Sequence, residues 1–458
     1  MKTKHIQHLY NRVGFGITPN ELERLSNKNK REIIDEVFTN SAKTSPLKAD
    51  ISFLKDIKPG DLKIKEKRQE LQKISRKKIQ KFSISWMERI LNPSEVFREK
   101  MTLFWANHFV SESRNNILFT QNYNNLLREN AFGNFRDFTK KISKDASMLG
   151  YLNNKQNRKK SPNENFAREL MELFTLGQGN YTETDIKESA RAFTGYSHNF
   201  RGKFLMRKRH HDENEKTFFK KTGNFNGDNI IDIILEQQQC ARFISEKIYR
   251  FFVNENINKE HVAAMTAVFY KDYDIEKLMR FVLQSNWFYD DENIGTKIKS
   301  PMEFLAGIHQ VIPYQFERPK QALLMQRLLG QTLLRPPNVA GWKTGRNWID
   351  SNTMVRRLRL ASILLNNAAI TYSDTGDEEA MLTNLTTKKL KRKTFIKTKT
   401  DWNAFEKNYK KIDNKGMISL IISSQINKGT AQMLSDNLDI PKKDFCVQLM
   451  SIPEYQLC

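Results

Sequence analysis

Along most of the chain apolar residues recur every three or four positions, and strict alternation is nearly absent. That pattern predicts a mainly α, multi-helix globular protein with few or no strands. Val96, Met101, Phe104, Trp105 and Phe109 fall near one face of a predicted helix, with His108 set among them. Ile231, Ile234, Leu235, Phe243, Ile244, Ile248 and Phe252 line a second helical run, with Asp228 as its expected cap. Start signals are explicit in places: Thr18 before Pro19 with Glu21 three residues on, and Ser300 before Pro301.

The stretch "PNENFARELMELFTLGQGNYTETDIKESARAFTG" (162–195) carries the densest charge beside a regular apolar stripe. At about 100° per residue, Phe166, Leu170, Leu173 and Phe174 share one arc of a helix beginning near Asn163. Glu164, Arg168 and Glu172 then fall within roughly 80° of one another on the opposite side, and Glu169 lies between that column and the stripe. Gly177 ends this helix, Thr182 with Asp185 starts the next, and Gly195 stops it. The expected unit is a helical hairpin. A DNA-reading role is excluded, because Glu183, Asp185 and Glu188 on the second helix would repel phosphates.

With 458 residues, 39% of them hydrophobic and 30 Phe, the chain can fill a sizeable core. Its pattern divides into a main helical domain (1–370), a polar linker or mobile loop (371–400) and a C-terminal helical segment (401–458) packing back on the main domain. No window approaches eighteen uncharged apolar residues, so no transmembrane segment is expected. The start "MKTKHIQHLYNRVGFG" has basic residues where an export signal would be apolar, which favours a cytoplasmic placement. Cys240, Cys446 and Cys458 form an odd set with no metal-knuckle spacing, consistent with a reducing compartment.

Lys and Arg number 76 against 52 Asp and Glu, a formal charge of +24. Such a balance points to an anionic substrate or polyanion, although lysine is also spread widely along the chain. Three runs are denser: 63–82, read as a solvated helix face, 201–211, and 388–402 in the polar stretch. Only the second adjoins candidate chemistry, since it ends at His210 and His211, followed by Asp212.

A His-His-Asp run together with helical glutamates is a ligand set that a divalent metal takes, although the spacing matches neither H-E-x-x-H nor the E-x-x-H pair of di-iron bundles. Two readings of His108 stand: a member of the site, or a core histidine bonded to a carbonyl. "RPPNVAGWKTGRNWIDSNT" adds Trp342 and Trp348, as a stacking wall for a ring or as plugs of the core, with Arg335 as a lone candidate for an anion.

The strings "REKMTLFWANHFV", "LLRENAFGNFRDF", "MLGYLNNKQNRKKSPNENFARELMELFTLGQGNYTETDIKESARAFTGY", "HHDENEKTFF", "CARFISEKIYRFFV", "KIKSPMEFLAGI" and "GQTLLRPPNVAGWKTGRNWIDSNT" resemble, in the same order, the bacterial family called domain of unknown function 1800. The likeness runs from about residue 6 to the C-terminus and is weakest over 371–400. It implies a mainly helical single-chain fold and bacterial origin, and it supplies no reaction. Relatives often begin with an export signal and are often encoded beside a sulfatase-like protein. The resemblance therefore implies a periplasmic or secreted placement, from which this chain departs by lacking the signal.

Two function classes follow. One is a hydrolytic enzyme, metal-assisted or using a desolvated glutamate as acid/base, acting on a polar or anionic substrate. Its cleft would gather His108, Glu164, Arg168, Glu169 and Glu172 as catalytic groups with His210, His211 and Asp212 as metal ligands. The other is a non-catalytic polyanion-binding or protein-interaction scaffold.

Overall fold

The computed structural model describes residues 1–366, 369–370 and 394–458. Helices dominate, as the apolar periodicity predicts, and they surround two apolar clusters. The first gathers the N-terminal helices and most of the segment from Phe97 to Tyr289. The second joins the helix Lys65–Leu91, the helix Pro301–Val311, the helix Ser351–Leu365 and the C-terminal helices. Phe405, Met417, Phe445 and Tyr455 share this second cluster with Phe304 and Ile308, and Lys297 exchanges backbone hydrogen bonds with Cys458.

The helix Val96–His108 lies between the clusters, giving Phe97, Met101, Phe104 and Trp105 to one and Leu103 to the other. A helix enclosed on all sides must pair any charge it carries. Glu99 accepts from Arg128 at 2.6 Å and from the Trp86 indole at 3.2 Å, and Lys100 meets Glu303 at 2.6 Å.

Local start signals hold where the cap chemistry is complete. Ser300 and Glu303 close a capping box with Pro301 in the first turn, and Thr182 with Asp185 does the same. The run after Thr18 divides into helices Pro19–Ser26 and Lys30–Asn40, because Asn29 and Glu32 form their own capping box. The cap expected at Asp228 belongs instead to Asn226, whose side chain accepts from the backbone N–H of both Asp228 and Asn229.

Short antiparallel pairs supplement the helices: Tyr196–His198 with Phe204–Met206, Lys216–Phe218 with Lys221–Gly223, Tyr314–Phe316 with Thr398–Thr400, and Ala369–Ile370 with Thr394–Phe395. The last residues of the stretch expected as a linker, 398–400, are therefore in a strand. Residues 371–393, with the first six residues of the third basic run, lie outside the described residues. Among the described residues no helix is long and apolar enough to cross a membrane. The three cysteines are buried free thiols.

Candidate functional site

The charged hairpin forms, with one departure that rearranges its chemistry. Its first helix is α only over Asn165–Glu169 and continues as a π-helix over Leu170–Thr175. The wider π turn takes more residues than an α turn, so the 100° phasing fails beyond Leu170. Arg168 bonds Glu183 at 3.0 Å and reaches Glu164 at 3.5 Å, whereas Glu172 is turned away and accepts from the Tyr181 hydroxyl at 2.8 Å. The expected column of Glu164, Arg168 and Glu172 is thus broken. Glu169 is partly buried; burial raises its pKa, and the neighbouring Glu172 adds to the rise. Gly177 ends the helix at φ +82°, as its position predicts.

His108 occupies the far end of the same segment. Its Nε2–H donates to the Phe174 carbonyl at 3.1 Å, and its Nδ1 faces Lys247 Nζ at 3.3 Å. Burial, then the nearby ammonium, pushes its pKa well below the ordinary histidine value. Lys247 in turn donates to the Leu173 carbonyl at 2.8 Å. The last carbonyls of a helix have no intrahelical donor, so His108 and Lys247 together cap the end of the π segment.

The histidine loop docks on the second helix of the hairpin. His211 Nδ1 donates to the Thr194 carbonyl at 2.8 Å, Asp212 pairs with Arg191 at 2.8 Å, and Arg191 also holds Glu188 at 2.9 Å. Gly195, at φ +79°, permits this contact, because a Cβ there would stand 2.8 Å from the Arg207 carbonyl. His210 accepts from Arg209 Nε at 3.3 Å. The structure thus joins Asp212 and His211 to the hairpin through neighbours that already satisfy them, while His108 serves a different end of it. Among the described residues no group of three or more His, Cys, Asp or Glu is placed to hold a metal. The expected set of His210, His211 and Asp212 with helical glutamates is not assembled, because Arg191, Thr194 and Arg209 are its partners.

Two cavities gather other groups. One of about 310 Å³ is bounded by His108, Lys247, Lys297, Glu303, Trp342 and Trp348. Both tryptophans are only 5% exposed, so they plug the core and also form cavity wall. The other is a cleft beside the exposed N-terminal half of the helix Lys65–Leu91, made of adjoining hollows of about 600 and 450 Å³ that share Glu112, Arg114 and Asn115. Arg68, Arg76, Arg114, Lys155, Arg201 and Arg335 line it, and Glu112 is the single acid among the lining residues. Glu112 is itself paired to Arg114 at 2.8 Å. Tyr151 forms part of the wall, and its phenol is pushed up by burial, then by Glu112 and by Glu169.

The cleft was not legible from any one run, since Arg68 and Arg335 are brought together only by packing. Lys247 had a faint signal: a lysine with Phe243 and Phe251 each four residues away on an apolar helix face. The sequence model of the family described as "Protein of unknown function (DUF1800)" matches residues 8–457. No curated protein and no solved structure matches the chain.

Proposed function

Because the chain belongs to the DUF1800 family over nearly its whole length, a membership that carries no activity, we propose from its own geometry that it binds a polyanionic chain in the cleft beside the helix Lys65–Leu91. The observation that carries this reading is the imbalance of the lining: six cationic side chains face one carboxylate, and that carboxylate is already paired. Such a concentration focuses a positive field into a concave surface and favours phosphate, sulfate or carboxylate groups spaced along a chain. Five of the six cations are arginines, whose planar fork meets these oxyanions with two parallel hydrogen bonds. Phe119, Tyr151 and Phe200 in the floor supply ring faces for the apolar parts of such a ligand.

The hydrolytic reading draws less support, because Glu164, Glu172 and Asp212 are each engaged by a neighbouring Arg or Tyr. The test is retention on immobilised heparin and its salt dependence. A variant carrying Arg68→Glu, Arg76→Glu and Arg335→Glu should elute at clearly lower salt and show a shallower slope of log affinity against log salt. The same reversal at Lys208 and Arg209, on the exposed histidine loop, should leave elution nearly unchanged. Loss in the second variant and not in the first would move the binding face to that loop and overturn the assignment.

A further inference from the structure

The cavity of about 310 Å³ presents an unusual lysine. Among the other ammonium groups in and behind its wall, Lys100 and Lys297 are paired to Glu303 at 2.6 and 2.5 Å, and Lys299 donates to the Tyr455 carbonyl at 2.8 Å with the Tyr455 ring 3.7 Å away; none of them faces an imidazole across the cavity wall. Lys247 lines the cavity itself and, like Lys299, meets no carboxylate in its contacts: it donates to the Leu173 carbonyl, lies 4.7 Å from the Phe243 ring and faces His108 Nδ1. The tautomer of His108 follows from its other bond. Its Nε2 proton goes to the Phe174 carbonyl, so Nδ1 carries a lone pair directed at the amine. Burial alone pushes Lys247 down to about 8, which leaves roughly a tenth of the amine free at pH 7 and about half at pH 8. A desolvated lysine beside a neutral base, in a hollow large enough for a small molecule, is the arrangement that nucleophilic amines use.

We propose that Lys247 is a nucleophilic amine that forms an imine with a small anionic carbonyl compound of the 2-oxo acid class bound in this cavity. The ammonium gives its proton to solvent, and the lone pair of the free amine adds to the carbonyl carbon, so that the C–N bond forms and the carbonyl π pair moves to oxygen. One proton of the new N–H₂⁺ passes by way of His108 Nδ1 to that oxygen, giving the neutral carbinolamine. A proton from solvent, equal to the one first released, then lets the oxygen leave as water and the nitrogen lone pair form a protonated C=N bond. One water is released for each imine formed, and no electrons are exchanged with a further reagent. The iminium keeps one N–H, which continues to cap the Leu173 carbonyl, so the fold does not have to open. The anionic group of the ligand has Arg250 and Lys343 in the same lining, neither of them held by a carboxylate closer than 4.0 Å.

The experiment is hydride trapping on the full chain. Protein at pH 8 is incubated with glyoxylate and cyanoborohydride, digested, and the carboxymethylated lysines are located by mass spectrometry. Lys247 should label roughly tenfold faster than the exposed lysines, because its free-amine fraction at this pH is far larger. Its labelling should rise through pH 8 while theirs is still climbing at pH 10. Lys247→Arg, which retains a donor for the Leu173 carbonyl, should lose the fast phase and leave the slow background intact. Adducts spread over exposed lysines with Lys247 unmodified in the native protein would overturn the proposal, and that reading needs no variant to fold.

Discussion

His108 donates its Nε2 proton to the carbonyl oxygen of Phe174 across 3.1 Å, with both residues buried. The π-helix ends there, and without this donor the carbonyl would be buried and unpaired. His108→Ala removes the bond and leaves a void among Phe104, Trp105, Phe109 and Phe174. The expected loss is about 2–4 kcal/mol, an unsatisfied carbonyl plus a small cavity. His108→Gln, which can still donate to Phe174, should recover part of it. Guanidinium denaturation midpoints at unchanged slope would show the difference.

Glu303 holds two lysines at once, Lys100 at 2.6 Å and Lys297 at 2.5 Å, and also accepts from the Ser300 backbone at 2.7 Å. Burial pushes its carboxyl upward, yet the two ammonium groups hold it well below the usual carboxylate range. Glu303→Gln should cost about 3–5 kcal/mol, because it leaves buried positive charge uncompensated. Adding Lys100→Met should restore part of the loss, since the double variant no longer buries that charge. Thermal or denaturant unfolding of the three variants checks the non-additivity.

What could be read from the sequence was what neighbouring residues decide among themselves. Ser300 and Pro301, Thr182 and Asp185, and Gly177 all mark helix ends through contacts within a few residues, and each does so in the structure. Glu172 was misplaced because a π turn is not encoded by apolar spacing; Thr175 stabilises it by donating to the Leu170 carbonyl five residues back. The strand Thr398–Thr400 was missed because its partner, Tyr314–Phe316, lies far away along the chain. The same distance hid the cleft. Arg68 and Arg335 are ordinary surface residues of their own segments, and only the packing of the long helix against the loops sets them along adjoining hollows of one cleft. For His108 the core reading was available beside the catalytic one, and its Nε2 makes the carbonyl bond that the core reading expects, to Phe174.

Buried neutral histidines give the fold a defined weakness in acid. His309 donates from Nε2 to the Asn92 side chain at 3.0 Å and accepts from the Tyr314 backbone at its other nitrogen, 3.2 Å away. Burial pushes its pKa down from 6.5 to about 4, and burial also pushes His8 and His108 well down. The folded state therefore binds fewer protons than the unfolded chain between these values. The stabilising effect is present above pH 6.5 and is lost as pH falls toward 4. His309 alone accounts for about 3 kcal/mol of that loss. Melting temperatures should be nearly level above neutrality and fall through this window, and His309→Gln should flatten the slope; a stability that rises on acidification would contradict the assignment.

Gly341 sits at φ +89°, and a Cβ there would stand 2.3 Å from Asn107 Oδ1 and 2.9 Å from the Asn107 carbonyl. The close approach has a purpose in the packing: Asn107 Oδ1 accepts from the Trp342 backbone at 2.6 Å, fastening the tryptophan loop to the turn of helix that carries His108. Gly341→Ala should cost about 2 kcal/mol or more through backbone strain and this clash together. It should also loosen Trp342, so that its emission shifts toward that of a wetter indole. Asn107→Ala removes the side-chain clash along with the bond but leaves the strain and the backbone contact. The double variant should therefore lose less than the sum of the two single ones. Strict additivity would mean that Asn107 and Gly341 do not meet as described, and that the wall of the Lys247 cavity is held by other contacts.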